Sequence, residues 1–98
     1  MSGSFISSVR FQAKTGQEEV LIKAVSQFDV SQYPGCHSHQ IVDAGNGRFQ
    51  TTIVWDNKDA IAAARPELIK FLNTLRPMLD EISPELGVTD SISGPIID

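Results

Sequence analysis

The sequence predicts one α+β domain spanning residues 1–98, ordered strand, helix, strand, strand, helix, strand. Three observations predict it. Period-two alternation of apolar and polar residues marks strands at Ser4–Ala13 and Arg48–Trp55. Apolar residues three or four apart mark helices ending near Asp29 and running through Ile61, Ala64, Leu68, Phe71, Leu75, Met78 and Ile82. Between the two middle strands, Ala44-Gly-Asn-Gly47 supplies residues that tolerate positive φ, as a hairpin requires.

Taken in order, the first strand places Phe5, Ser7, Val9, Phe11 and Ala13 on one face, and Ile6, Ser8, Arg10 and Gln12 on the other. Thr15-Gly-Gln-Glu18 has the spacing of a capping box, so a helix is expected from there. Its buried side should carry Val20, Leu21, Ala24, Val25 and Phe28. Tyr33-Pro-Gly35 reads as a type II turn into a second strand over Cys36–Asp43. With residues 44–47 as the loop, Asp43 faces Arg48, His39 faces Thr52 and His37 faces Val54. Cys36, Ser38, Gln40 and Val42 then share the face of Phe49, Thr51, Ile53 and Trp55, and a slip of one residue would exchange the faces. Asp56 and Asn57 are good N-caps for the second helical region. Pro66 suggests a short helix from Lys58 to about Ala64, a bend and a longer helix, which Pro77 should end. A last strand is expected over Leu86–Ser93.

This order corresponds to a four-stranded antiparallel sheet with two helices on one face. The other face, carrying Ile6, Val54 and Ile41 in this register, is left bare. A homodimer joined sheet to sheet would cover it.

Composition narrows the partners. A net charge of −4 argues against nucleic acid, whose readers carry a basic face. No apolar run approaches the roughly 18 residues of a membrane span. No basic stretch followed by a long apolar one opens the chain, so no secretory signal is expected. The single cysteine, Cys36, has no internal disulfide partner, consistent with a reducing, cytoplasmic setting.

Two segments carry a resemblance: Tyr33-Pro-Gly-Cys36 opening the second strand, and Gly47-Arg-Phe-Gln-Thr-Thr-Ile-Val-Trp55 running into a helix. On these the chain resembles the antibiotic-biosynthesis monooxygenase superfamily, whose ferredoxin-like β-α-β-β-α-β units pair into a dimeric α+β barrel. The resemblance implies a small-molecule-binding homodimer. Its members include cofactor-independent monooxygenases of phenolic, polyketide-like substrates, quinol oxidases and haem-degrading enzymes. The alternative is a dimeric binding or interaction module of the same fold without chemistry. The haem-degrading branch uses an asparagine on the first strand, a tryptophan on the third and a histidine ten residues later. Here the matching positions hold Val9, Trp55 and Arg65. Arginine stays protonated and cannot ligate iron, so no haem or other cofactor is expected.

The candidate ligand-binding residues are Trp55, Arg65, Val9, Ser38, Gln40 and Thr51. Trp55 and Arg65 are expected in one cleft between helices and sheet, where Arg65 would hold a carboxylate or phenolate or stack on an aromatic ring. Ser38, Gln40, Thr51 and Ser7 would add convergent polar groups to an apolar pocket. No general base is apparent in that cleft. His37 and His39, at i and i+2, point to one side of a strand and can supply two metal ligands. No third ligand has suitable spacing, so no metal is assigned. Cys36 reads as a buried, inert thiol.

Overall fold

The computed structural model describes residues 4–97. The elements are β1 (Phe5–Ala13), α1 (Glu18–Val25), β2 (Cys36–Gly45), β3 (Arg48–Trp55), α2 (Lys58–Leu75), β4 (Leu79–Asp80) and β5 (Asp90–Pro95), with short 3-10 turns at Val30–Gln32 and Arg76–Met78. All pairings are antiparallel, in the order β2-β3-β1. Two segments share the remaining edge of β1: β4 pairs with Gln12 and Ala13, and β5 with Phe5–Arg10. The expected last strand is therefore displaced to Asp90–Pro95, and the two-residue β4 is an addition. The fold is α+β and ferredoxin-like.

Both helices cover the same face. Phe11, Ala13, Phe49, Ile53 and Trp55 of the sheet are buried against Leu21 and Val25 of α1 and Ile61, Ala64 and Leu75 of α2. Each such large side chain contributes about 1.5–3 kcal/mol by leaving water. The core falls into two clusters, one around Phe11, Leu21, Phe49 and Leu75, the other around Ile53, Trp55, Ile61 and Ala64.

Local chemistry explains several departures from expectation. Gly16 has φ +82, which a helix cannot hold, so α1 starts at Glu18 with Gln17 at the N-cap and Thr15 outside it. The helix ends four residues before Asp29, which instead caps the Val30–Gln32 turn by accepting from Ser31 N–H. Val20 stays 52% exposed while Leu21 and Val25 are sealed. The helix α2 runs unbroken through Pro66. The carbonyl deprived of a donor there belongs to Ala62, one turn earlier, and both residues are exposed, so water can satisfy it. Asn57 caps α2 by accepting from Ala60 N–H at 3.0 Å, and Pro77 enters the turn that follows. Gly35 has φ +82 in the Tyr33–Cys36 turn, and a Cβ there would lie 2.7 Å from that of Ala60. Conformation and space both demand glycine.

The most consequential departure is in the hairpin. Asn46 and Gly47 both have positive φ and form the two-residue loop between Gly45 and Arg48. Ala44 is extruded as a bulge, stabilised where Asp43 Oδ1 accepts from Gly45 N–H at 2.9 Å. Asp43 then faces Phe49, Ile41 faces Thr51 and His39 faces Ile53. A second irregularity at His37 brings Cys36 opposite Trp55. Between the bulges the two faces of β2 are exchanged relative to the expected register.

Candidate functional site

A cavity of about 340 Å³ lies between α2 and the helix-facing side of the sheet, between the two core clusters. Its position follows from strand alternation. Directly opposed residues form rows across the sheet: His39, Ile53, Ser7 and Ser93 in one, Ile41, Thr51, Val9 and Ser91 in the next. Against them α2 presents Ile61, Leu68, Phe71 and Leu72. The lining is predominantly apolar with a few polar groups, as small-molecule sites are.

Of the expected site residues, Val9, Thr51 and Arg65 line this cavity. Val9 and Thr51 are cross-strand partners in its floor, and Arg65 stands exposed at its edge. Trp55 is 0% exposed and does not line it. Its indole N–H donates to Ser7 Oγ at 3.0 Å, and Ser7 does line it. Ser38 and Gln40 are corrected: the bulged register pairs them with Val54 and Thr52 on the opposite face, away from the helices. Period two is unforgiving, because one extra residue inverts every side chain beyond it.

The same inversion brings in a residue assigned to the other face. His39 lines the cavity, its ring 4.6 Å from that of Phe28. Burial pushes its pKa below the usual histidine value, because the imidazolium loses hydration there. The imidazole is therefore neutral at pH 7 and able to accept a proton. The cleft thus contains a titratable imidazole that the expected register placed on the other face. The signal that could have found it is the Asn46-Gly47 pair, which favours a two-residue turn, together with Asp43 two residues before Gly45.

Phe28 and Phe71 line this end of the cavity and belong to a larger aromatic cluster. Phe28 stacks on Tyr33 at 4.7 Å and meets Phe71 edge-on at 5.5 Å, while Tyr33 meets Trp55 edge-on at 6.3 Å. Burial raises the Tyr33 hydroxyl and Cys36 thiol pKa values, so both stay protonated and poorly nucleophilic. His37 diverges from His39 and pairs with Asp56 at the surface. Among the described residues, no three histidine, cysteine or acidic side chains are grouped as metal ligands.

The model of the antibiotic biosynthesis monooxygenase family matches residues 4–66. No curated protein sequence matches the chain closely enough to count as a relative. Among solved structures, a Streptomyces coelicolor monooxygenase in complex with the ligand nanaomycin D is 13% identical, covers 98% of this chain and 90% of its own, and has a TM-score of 0.74. The cofactor-independent oxygenase SnoaB of Streptomyces nogalater, as its N63A mutant, is 17% identical over 97% of this chain and 92% of its own, with a TM-score of 0.64. A dimeric ferredoxin-like protein from an uncultured marine organism is 14% identical over 98% and 90%, with a TM-score of 0.72. These likenesses are likenesses of fold. With the family pattern matched across about two thirds of its length, the chain belongs to the antibiotic biosynthesis monooxygenase family.

Proposed function

We propose that the protein is a cytoplasmic, cofactor-independent monooxygenase acting on a phenolic or quinone-like aromatic substrate bound between α2 and the sheet. The observation that carries this reading is the neutral His39 imidazole in an apolar cavity with Arg65 at its edge. His39 takes the phenolic proton, and the apolar walls leave the phenolate poorly solvated and reducing. Arg65 attracts the anion or an acidic substituent. The phenolate passes one electron to dioxygen, and the resulting radical pair joins at a ring carbon that bears hydrogen. The peroxide takes the proton back from His39. Loss of water then leaves a ketone at that carbon, so phenol plus dioxygen gives quinone plus water with no outside reductant.

Oxygen uptake with 1-naphthol, matched by appearance of 1,4-naphthoquinone, tests the reaction. Arg65→Ala is expected to raise KM about tenfold, the loss of one charge-assisted contact of roughly 1.4 kcal/mol. Unchanged binding and turnover of a whole panel of phenols would remove Arg65 from the site. Binding without oxygen uptake across that panel would favour the non-catalytic module.

The reading includes a homodimer through the uncovered face of the sheet. Val42 and Ile92 are 52% and 71% exposed there, on the same face of the sheet as Ile6 and Val54. Polar neighbours on that face already satisfy one another: Arg10 pairs with Asp90 at 2.7 Å, and Gln50 donates to Ser8 Oγ at 2.6 Å. These bonds lower the cost of taking them into an interface, where the remaining donors of Arg10 and Gln50 need partners from the second copy. Val54→Asp would place a carboxylate at the interface and is expected to shift sedimentation from dimer to monomer. A wild-type monomer at micromolar concentration would refute the dimer.

A further inference from the structure

The hydrogen bond between Trp55 and Ser7 has a fixed direction. An indole N–H can only donate, so the Ser7 oxygen is the acceptor, at 3.0 Å. A serine hydroxyl also has one proton to give. Among the described residues no side-chain or backbone acceptor takes that proton, while Ser7 lines the cavity. Trp55 is 0% exposed, so its ring is held and the bond it makes is not exchanged for one to water.

We propose that Ser7 is a specificity-determining donor that grips a carbonyl or phenol oxygen of the bound aromatic molecule, and that Trp55 is its positioning residue. The inference rests on the reading that the cavity takes an aromatic ligand. Donation from the indole polarises the Ser7 hydroxyl and makes it a better donor. The row His39, Ile53, Ser7 crosses three adjacent strands, and strands are spaced by about 4.8 Å. Ser7 therefore stands roughly 10 Å from His39 on the cavity floor. It holds the oxygen remote from the one His39 deprotonates, with Ile53 beneath the ring between them. A ligand lacking that oxygen leaves the hydroxyl without a partner, and unsatisfied polar groups reject analogues more strongly than apolar pockets do.

The test is calorimetric titration of the whole chain with 2,3-dimethyl-1,4-naphthoquinone and with 2,3-dimethylnaphthalene, the same skeleton without oxygens. Wild type is expected to prefer the quinone by about tenfold or more. Ser7→Ala should erase that preference while leaving the hydrocarbon's affinity within about twofold, and Ser7→Thr, which keeps the hydroxyl, should restore it. Trp55→Phe should weaken the preference with Ser7 still present, and should add nothing in the Ser7→Ala background. Equal loss for both ligands in Ser7→Ala would mean that Ser7 merely shapes the cavity. An intact preference in Trp55→Phe would end the positioning role. If wild type binds neither molecule, the cavity reading itself fails before any substitution is made, and this inference falls with it.

Discussion

Replacing Trp55 with alanine is expected to lower the unfolding free energy by about 3–5 kcal/mol. Trp55 is 0% exposed and packs with Ile53, Ile61 and Ala64, at the point where β3 hands over to α2. Its removal opens a void too well framed by sheet and helix to collapse. It also takes away the donor to Ser7 and the edge-on partner of Tyr33. Domains of this size have total stabilities of about 5–15 kcal/mol, so one substitution removes a large share. The melting temperature should fall by roughly 15 °C or more, since 1 kcal/mol corresponds to about 4–8 °C at this length. Urea denaturation followed by circular dichroism reads both quantities. A loss below about 1 kcal/mol would contradict the central packing role assigned to this residue.

His39→Gln is expected to lower turnover of a phenolic substrate by about 10²–10⁴-fold, the usual contribution of a positioned general base. Glutamine keeps polarity and approximate size but cannot take up a proton. The pH dependence adds a separate signature. An unperturbed histidine titrates at about pH 6.5, and burial moves His39 lower. In wild type, kcat/KM should rise along an acid limb centred below that value and stay level above it. The variant should lack this limb. Stability carries the same sign. Because the folded-state pKa is depressed, the unfolded chain takes up the proton first. Acidification from about pH 6.5 downward through the folded pKa therefore favours unfolding. His39→Gln should remove that component of the acid sensitivity, and thermal melts at graded pH check it. An acid limb retained in the variant would assign the titration to another group.

Much of the architecture was legible from residue order. Period two in Phe5–Ala13 and Phe49–Trp55 identifies strands because alternate side chains must face one hydrophobic layer. The spacing Ile61, Ala64, Leu68, Phe71, Leu75 identifies the buried stripe of α2 for the matching helical reason. Pro34-Gly35 and Asn46-Gly47 mark the turns because few residues hold their dihedral angles. The helix starts were less legible. The Thr15–Glu18 spacing suits a cap, yet Gly16 adopts a left-handed conformation and moves the first turn.

The site was legible in part. Val9, Thr51 and Arg65 reach the cavity as alternation and helical phase require. His39, Ser38 and Gln40 did not fall where expected, because their side depends on how many residues the hairpin extrudes. Neither bulge is imposed by local preference alone. The Gly45 end carries a local mark, Asp43 accepting from Gly45 N–H ahead of the Asn46-Gly47 turn, whereas the irregularity at His37 shows only in the pairing of Cys36 with Trp55 on the partner strand. Sequence by itself determined the main elements, their order and the apolar layer, since these follow from short-range sterics and periodic burial, though it did not determine β4 or the unbroken α2. Only tertiary structure decided that a histidine lies inside, that two polar residues turn out and that Trp55 is sealed behind Ser7. Those outcomes depend on register, which is set between strands and not along one.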